Sequence, residues 1–304
     1  MVRLISARWG DMSKMERRRL AAGLLFISPW IIGFLAFKIY PLVASFYYGF
    51  TYYDIVRAPK WLGLRNYQDL LIDKQFRIAL SNTAFYAVLA VPSQLVTAYL
   101  LALLLNQRLY GRSLLRTIFY LPNIVPTVSS AMLWLWILDT RLGVINTTLA
   151  SLGWRTIPWL AHPTWSKPSL VLINLWYTGG TMIIFLAALQ DVPRELYDAA
   201  KVDGARWWQQ LIHVTIPLTT PAILFALITG LIGASQTFSF PYILTGGGPA
   251  NSTLFYALYL FRTAFVYLRM GYASAMAWIL FIIIVIFTYM VFKSSGRWVF
   301  YGGD

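Results

Sequence analysis

Six long apolar runs, each free of charged residues, divide the chain. A bilayer core of about 30 Å needs roughly 20 apolar residues in a helix, so each run can supply one membrane crossing. The runs are Leu20–Phe37, Ile78–Gln107, Thr117–Leu138, Pro168–Gln190, Val214–Phe240 and Gly271–Phe292. The pattern therefore predicts an all-α membrane protein, a bundle of about six transmembrane helices.

The first run, Leu20–Phe37, has two interpretations. Arg17–Arg19 precede it, as basic residues precede a secretory signal peptide. However, the run is longer than a typical signal core and no small-residue cleavage site follows it closely. We predict an uncleaved first span, with Lys38 extending toward the far interface.

A charged segment, Asp191–His213, separates the fourth and fifth runs, and we call it the elbow. It holds seven charged residues, although only 12% of the residues in the whole chain are charged. Local signals predict two short helices joined by a turn. Asp191 is placed to cap the first helix, Gly204 breaks it, and Asp203 is placed to cap a second helix from Ala205 to about Val214.

The elbow resembles the cytoplasmic loop of permease subunits of binding-protein-dependent ABC importers. That loop carries Glu-Ala-Ala, then Asp-Gly-Ala, then Trp-Gln, an aromatic residue and a closing Pro. The matching positions here are Ala199, Ala200, Asp203, Gly204, Ala205, Trp208, Gln209 and Pro217. Asp198 stands where Glu is usual and Leu211 where Phe is usual, which keeps the charge and the apolar side chain.

This resemblance implies an ABC importer permease fold in which the elbow couples the membrane domain to a separate ATPase. The implied coupling residues are Glu195, Asp198, Ala199, Ala200, Asp203, Gly204 and Ala205. The tract Leu244–Thr253, with three glycines and a proline, cannot hold a regular helix. It is similar to a segment of carbohydrate-class permeases of the maltose and glycerol-phosphate type. The outer segment from Trp61 mixes a turn with an amphipathic helix and resembles the same class.

Basic residues indicate how the chain is oriented. Those at the N-terminus favour a cytoplasmic location, although the outer segment Thr51–Arg77 also holds five basic residues. The resemblance agrees, because the elbow must meet an ATPase in the cytoplasm. We predict a cytoplasmic basic N-terminus at 1–19, a permease domain at 20–292 and a cytoplasmic tail at 293–304. The implied location is the prokaryotic cytoplasmic (inner) membrane.

Composition limits the chemistry that this chain can perform. The net charge of +14 comes without a basic stripe of interleaved aromatics, which favours anionic lipid over nucleic acid as a partner. No Gly-x-x-x-x-Gly-Lys-Ser/Thr phosphate loop occurs, so ATP and Mg are expected in partner ATPase subunits. His162 and His213 lie on opposite predicted sides, and Cys is absent. We predict no catalytic site, cofactor or metal in this chain.

A sugar path needs polar groups and aromatic faces inside an apolar bundle. The fourth and fifth runs offer such side chains on either side of the elbow. The candidates for the substrate path, partly placed by resemblance to maltose-type relatives, are Asn174, Tyr177, Thr178, Ser235, Gln236, Ser239 and Tyr242. The alternative is that Ser and Thr here only join helices together.

These features predict the transmembrane subunit of an ATP-driven importer for a sugar, oligosaccharide or related polyol phosphate. The resemblance implies a homologous permease subunit, two ATPase subunits and an extracytoplasmic binding protein as partners. An ion- or proton-coupled secondary transporter is the alternative function, and a membrane scaffold is a third. The sequence leaves open which sugar passes and whether the second permease subunit is identical.

Overall fold

The computed structural model describes residues 13–107 and 109–300, and helices dominate this part of the chain. The helices are α1 Lys14–Phe34, α2 Tyr40–Tyr48, α3 Arg65–Ile72, α4 Lys74–Asn106, α5 Arg112–Tyr120, α6 Thr127–Ile137, α7 Val144–Ser151, α8 Pro163–Trp176, α9 Gly179–Gln190, α10 Arg194–Val202, α11 Trp207–Gln210, α12 Ile216–Ser235, α13 Tyr256–Phe261 and α14 Met270–Ser295. Two short antiparallel strands, β1 Thr51–Tyr52 and β2 Lys60–Trp61, form a hairpin. Parts of the predicted segments 1–19 and 293–304 lie outside the described residues.

Six membrane crossings agree with the length and composition of these helices. Four stretches are long and apolar enough as continuous helices, namely Lys14–Tyr48, Lys74–Asn106, Trp207–Ser235 and Met270–Ser295. Two bent helix pairs bring the number to six if each pair is one span, with 96° between the α5 and α6 segments and 47° between α8 and α9. The predicted all-α bundle of about six spans is therefore confirmed, at four to six candidate spans.

The predicted end of the first span at Phe37 is wrong. A π-helical turn, Leu35–Ile39, carries α1 directly into α2, so Lys38 lies within a continuous helix of 35 residues. The apolar sequence continues to Tyr48, and Pro41 lies just after the π-helical turn, whose altered hydrogen-bond pattern accommodates the missing N–H of a proline within the helix. The fourth span likewise begins earlier than predicted, at Pro163.

The elbow has the predicted turn between two helices, but only the first helix is short. The second, α11, continues through a π-helical turn, Leu211–Thr215, into α12. Both predicted caps are wrong. Asp191 still belongs to the end of α9, and Pro193 precedes α10 without a capping side chain. Asp203 ends α10, with its N–H bonded to the Ala199 carbonyl at 3.0 Å. The second helix, α11, begins only at Trp207. The second helix begins later than predicted because the residues between the two helices continue the turn after Asp203 in an extended conformation.

Helix α4 lies at the centre of the bundle and contacts α8, α9 and α12. Small residues make these close contacts possible, because alanine side chains let helix backbones approach. The buried alanines of α4 are Ala79, Ala87, Ala90, Ala98 and Ala102. The core clusters around α4 therefore fix the helices that carry the predicted substrate path.

Gly179 marks the closest approach between α9 and the end of α5. A Cβ atom at this position would overlap the backbone of Phe119 and lie 2.8 Å from the Tyr120 Cα. The absence of a side chain at Gly179 therefore allows these two helices to approach closely. This contact holds the break between α8 and α9 in place.

Candidate functional site

A cavity of about 290 Å³ lies between α4, α8, α9 and α12. Amide and hydroxyl side chains contribute to its wall within an otherwise apolar bundle. The polar lining residues are Gln94, Asn174, Thr181, Thr229 and Thr237. Its volume is at the lower end of the range for small-molecule sites, about 300–1,000 Å³.

Asn174 and Gln94 join the two sides of this cavity. The Asn174 amide nitrogen donates to Gln94 Oε1 at 3.2 Å, and the Gln94 nitrogen has no protein partner among residues 13–107 and 109–300. Thr229 and Thr237 donate to carbonyls of their own segments, at 2.8 and 3.2 Å. Their oxygens can still accept hydrogen bonds. The cavity thus offers both donors and acceptors, which hydroxyl-rich ligands require.

The predicted path residues of the fourth span fall at the cavity and at the helix break. Asn174 lines the cavity. Thr178 is 2% exposed and donates its hydroxyl to the Leu175 carbonyl at the break. Tyr177 packs its ring against Trp176 and Phe240, and its buried hydroxyl has no hydrogen-bond partner among the described residues. Only Asn174 of these three lines the cavity.

The predicted path residues of the fifth span lie away from Asn174. Ser235 lines a separate cavity of about 120 Å³ and donates to the Leu231 carbonyl at 2.8 Å. Gln236 lines a third cavity, and Tyr242 stacks on Phe238. Ser239 is half-buried. Because residues two apart on a helix point to nearly opposite sides, Ser235 and the cavity-lining Gly233 cannot share a face.

Gln94 is the cavity residue that the sequence analysis missed. It is an amide near the middle of the charge-free run Ile78–Gln107, where a polar side chain is costly without a partner. An amide within such an apolar run could have identified Gln94 as a candidate from the sequence. Gly230 and Gly233 also line the cavity. A Cβ atom at Gly233 would meet nothing within 4 Å, whereas one at Gly230 would lie 3.1 Å from Val91 Cγ1 on α4.

The elbow exposes large apolar side chains as well as charges. Within this chain Val202 is 89% exposed and Trp207 is 75% exposed. Asp198 and Lys201 form an exposed ion pair at 2.9 Å. Of the other predicted coupling residues, Glu195, Ala199, Asp203 and Gly204 are exposed, while Ala200 and Ala205 are half-buried. Exposed apolar residues among charges are typical of a protein-binding surface.

A short series of hydrogen bonds connects the elbow to the bundle. The Tyr197 hydroxyl of α10 lies 2.9 Å from Thr215 Oγ1, just before α12. Thr219 donates to the Thr215 carbonyl at 2.9 Å, and its hydroxyl lies 2.8 Å from that of Tyr99 on α4. These bonds would therefore transmit a displacement of α10 to both cavity helices, α12 and α4.

Comparison with known proteins identifies several similar chains. The chain is 42% identical over 294 residues to the probable ABC transporter permease protein YesP of Bacillus subtilis, covering 95% of each chain. It is 33% identical to the trehalose/maltose transport system permease protein MalF of Thermococcus litoralis, covering 94% of this chain and 97% of the relative. It is 34% identical to the lactose transport system permease protein LacF of Rhizobium radiobacter, covering 93% and 97%.

The fold has a counterpart among solved structures. A bacterial ABC transporter for import of the acidic polysaccharide alginate matches with a TM-score of 0.81 at 26% identity, covering 95% of this chain and 98% of that one. Residues 76–299 match the family described as binding-protein-dependent transport system inner membrane component. This match supports a multi-pass membrane component and not an enzyme. The chain belongs to the family of inner membrane components of binding-protein-dependent transport systems.

Proposed function

We propose that this protein is the transmembrane subunit of an ATP-driven importer that translocates a sugar, oligosaccharide or related polyol phosphate. The cavity with Gln94 and Asn174 is the observation that carries the proposal, because it places hydroxyl-matching groups at the centre of an apolar bundle. Two of the relatives are trehalose/maltose and lactose transport permeases, which supports the substrate class.

The proposed complex contains a homologous permease subunit, two cytoplasmic ATPase subunits and an extracytoplasmic binding protein. A solved relative of 26% identity, with a TM-score of 0.81, is described in complex with a periplasmic protein bound to an alginate pentasaccharide. ATP and Mg would bind in the ATPase subunits, and the elbow would transmit their closure to α12 and α4. Family membership supports this function and not the ion- or proton-coupled alternative.

The proposed orientation can be tested with single cysteines, since the chain has none of its own. Lys201→Cys should react with a membrane-impermeant maleimide only from the cytoplasmic side, because Lys201 lies on the elbow. Asn251→Cys, in the glycine-rich tract, should react only from outside. Labelling of both from the same side would contradict the proposed orientation, and lysed membranes provide the control for reactivity.

The proposed path can be tested by removing its amides. Gln94→Leu combined with Asn174→Leu deletes two bonding groups without leaving an orphaned partner, so the fold should survive. Uptake should fall about tenfold or more, because each lost hydrogen bond to substrate costs about 1 kcal/mol. The measurement is ATP-driven sugar uptake into proteoliposomes.

The pair Ser235→Ala and Ser239→Ala provides the comparison for this experiment. These residues were predicted for the path but do not line this cavity, so uptake should change less than in the amide variant. A larger loss of uptake from the serine pair would show that the substrate path does not run through this cavity. Complex assembly, measured by co-purification, must be equal in both variants.

A further inference from the structure

Lys167 occupies an unusual place at the outer end of α8. It is half-buried, its ammonium group donates to Asn82 Oδ1 at 3.2 Å, and it lies 4.6 Å from the Phe85 ring centroid. Asn82 in turn donates to the Asn251 carbonyl of the glycine-rich tract at 2.8 Å. Lys167 is thus held in a half-buried position by α4, and through Asn82 it is linked to this tract.

Lys167 is aligned with the polar cavity. It precedes Asn174 by seven residues on α8, so the two share a helix face about 10 Å apart. The same two helices are joined at both levels, by Lys167 with Asn82 and by Asn174 with Gln94. A ligand moving along the seam between α4 and α8 would pass Lys167 before reaching the cavity.

No carboxylate of the described residues neutralises this cation. In the part of the chain that the structure describes, Lys201 with Asp198 is the one ion pair, and Lys167 bonds only to Asn82. A surface cavity of about 500 Å³ adjoins the site and adds Lys74 and Arg77 to its wall, together with Ile78, Ser81 and Asn82. The region therefore carries three cations and no acidic lining residue.

The acidic residue that precedes these cations, Asp73, is engaged elsewhere. Its carboxylate accepts hydrogen bonds from the hydroxyls of Tyr259 and Tyr272, at 2.5 and 2.7 Å. Partial burial acts to raise the pKa of Asp73, but these bonds and backbone N–H groups outweigh it and hold that pKa below its usual value. Asp73 is therefore ionised at neutral pH and committed to the two tyrosines.

We propose that Lys167 selects an anionic carbohydrate, and that the group it attracts is a carboxylate or phosphate on the sugar. This inference rests on the proposed function and adds the charge of the substrate. A lysine ammonium is a point charge that favours an oxyanion of either kind. A phospholipid headgroup is the less suitable occupant, because Lys167 is half-buried, is linked through Asn82 to the glycine-rich tract, and shares its helix face with the cavity-lining Asn174.

The test compares charged and neutral sugars in the complete transporter with its binding protein, reconstituted in proteoliposomes. A panel of neutral oligosaccharides is matched with counterparts that carry a uronate or a phosphate group. For Lys167→Gln we expect about a tenfold or greater loss of uptake for the charged sugars and less than about a twofold loss for neutral ones, because only the charged sugars lose a charge-assisted contact. Lys167→Arg should retain most uptake of the charged sugars.

Lys60→Gln is the matched control, because Lys60 is an exposed lysine on the outer hairpin, away from the seam. It should leave all uptake unchanged. Equal losses for charged and neutral sugars in Lys167→Gln, or no loss, would overturn the inference. So would an effect that disappears in liposomes without anionic lipid, since it would assign the site to a headgroup. Uptake of neutral sugars alone by the unmodified transporter would overturn the inference but keep sugar import, whereas uptake of no carbohydrate would reject both.

Discussion

Replacing Gly204 by tryptophan should uncouple ATP hydrolysis from transport while leaving the membrane bundle folded. Gly204 lies at the turn between the two elbow helices with φ +75°, in the left-handed region that disfavours other residues. A Cβ atom there would meet nothing within 4 Å in this chain, so added bulk would project outward. Docking of the ATPase should weaken about tenfold or more, because disrupting a central interface contact costs about 2 kcal/mol or more.

Two further substitutions separate bulk from backbone strain. Gly204→Ala introduces the strain, about 1–3 kcal/mol, with little bulk and should dock better than the tryptophan variant. Gly153→Trp places the same side chain at φ +79°, again with nothing within 4 Å of the Cβ, but in the turn after α7. It should leave docking and coupling intact. Pull-down of the ATPase and substrate-stimulated hydrolysis are the measurements, and normal coupling in Gly204→Trp would remove the elbow from the mechanism.

Replacing Gly179 by alanine should destabilise the bundle strongly for so small a change. The added methyl group would overlap the Phe119 backbone, which cannot rotate away as a side chain can. Overpacking of this kind costs about 1–3 kcal/mol. The midpoint of thermal unfolding in detergent should fall by about 2–10 °C.

Gly23→Ala is the control for this substitution. Gly23 lies in the long helix α1, and a Cβ atom there meets nothing within 4 Å. Alanine also favours a helix over glycine by about 1 kcal/mol, so no loss of stability is expected. Equal unfolding midpoints for Gly179→Ala and Gly23→Ala would contradict this prediction, because they would show that α9 can move away from α5 without a loss of stability.

The number of spans was predictable because it depends on a local property, the length of charge-free sequence. The breaks within spans were harder to predict. Pro122 and Pro126 flank the bend between α5 and α6, yet Pro92 and Pro221 lie inside helices that continue. A proline alone therefore does not tell whether neighbouring helices will stabilise a bend or a continuous helix.

The candidate site was predictable only in part, for a geometrical reason. Asn174, which lines the cavity, was predicted because an amide side chain within an apolar span is itself a sign of a polar site. Ser235 and Gln236 were chosen by chemistry and spacing, whereas the face that α12 turns toward α4 and α8 is set by tertiary packing. That packing brings Gly233 and Thr237 to the cavity and leaves Ser235 in another.

The exposed pair Lys201–Asp198 has a consequence for the choice of salt during purification. It is the one ion pair in the described residues, with its side chains 62% and 71% exposed, and pairs of this kind contribute about 0–1 kcal/mol. Raising the ionic strength therefore has little to weaken inside the folded chain. Salt should act mainly where unpaired charges meet another molecule, so a high-salt wash should strip bound lipid or subunits well before it unfolds this protein.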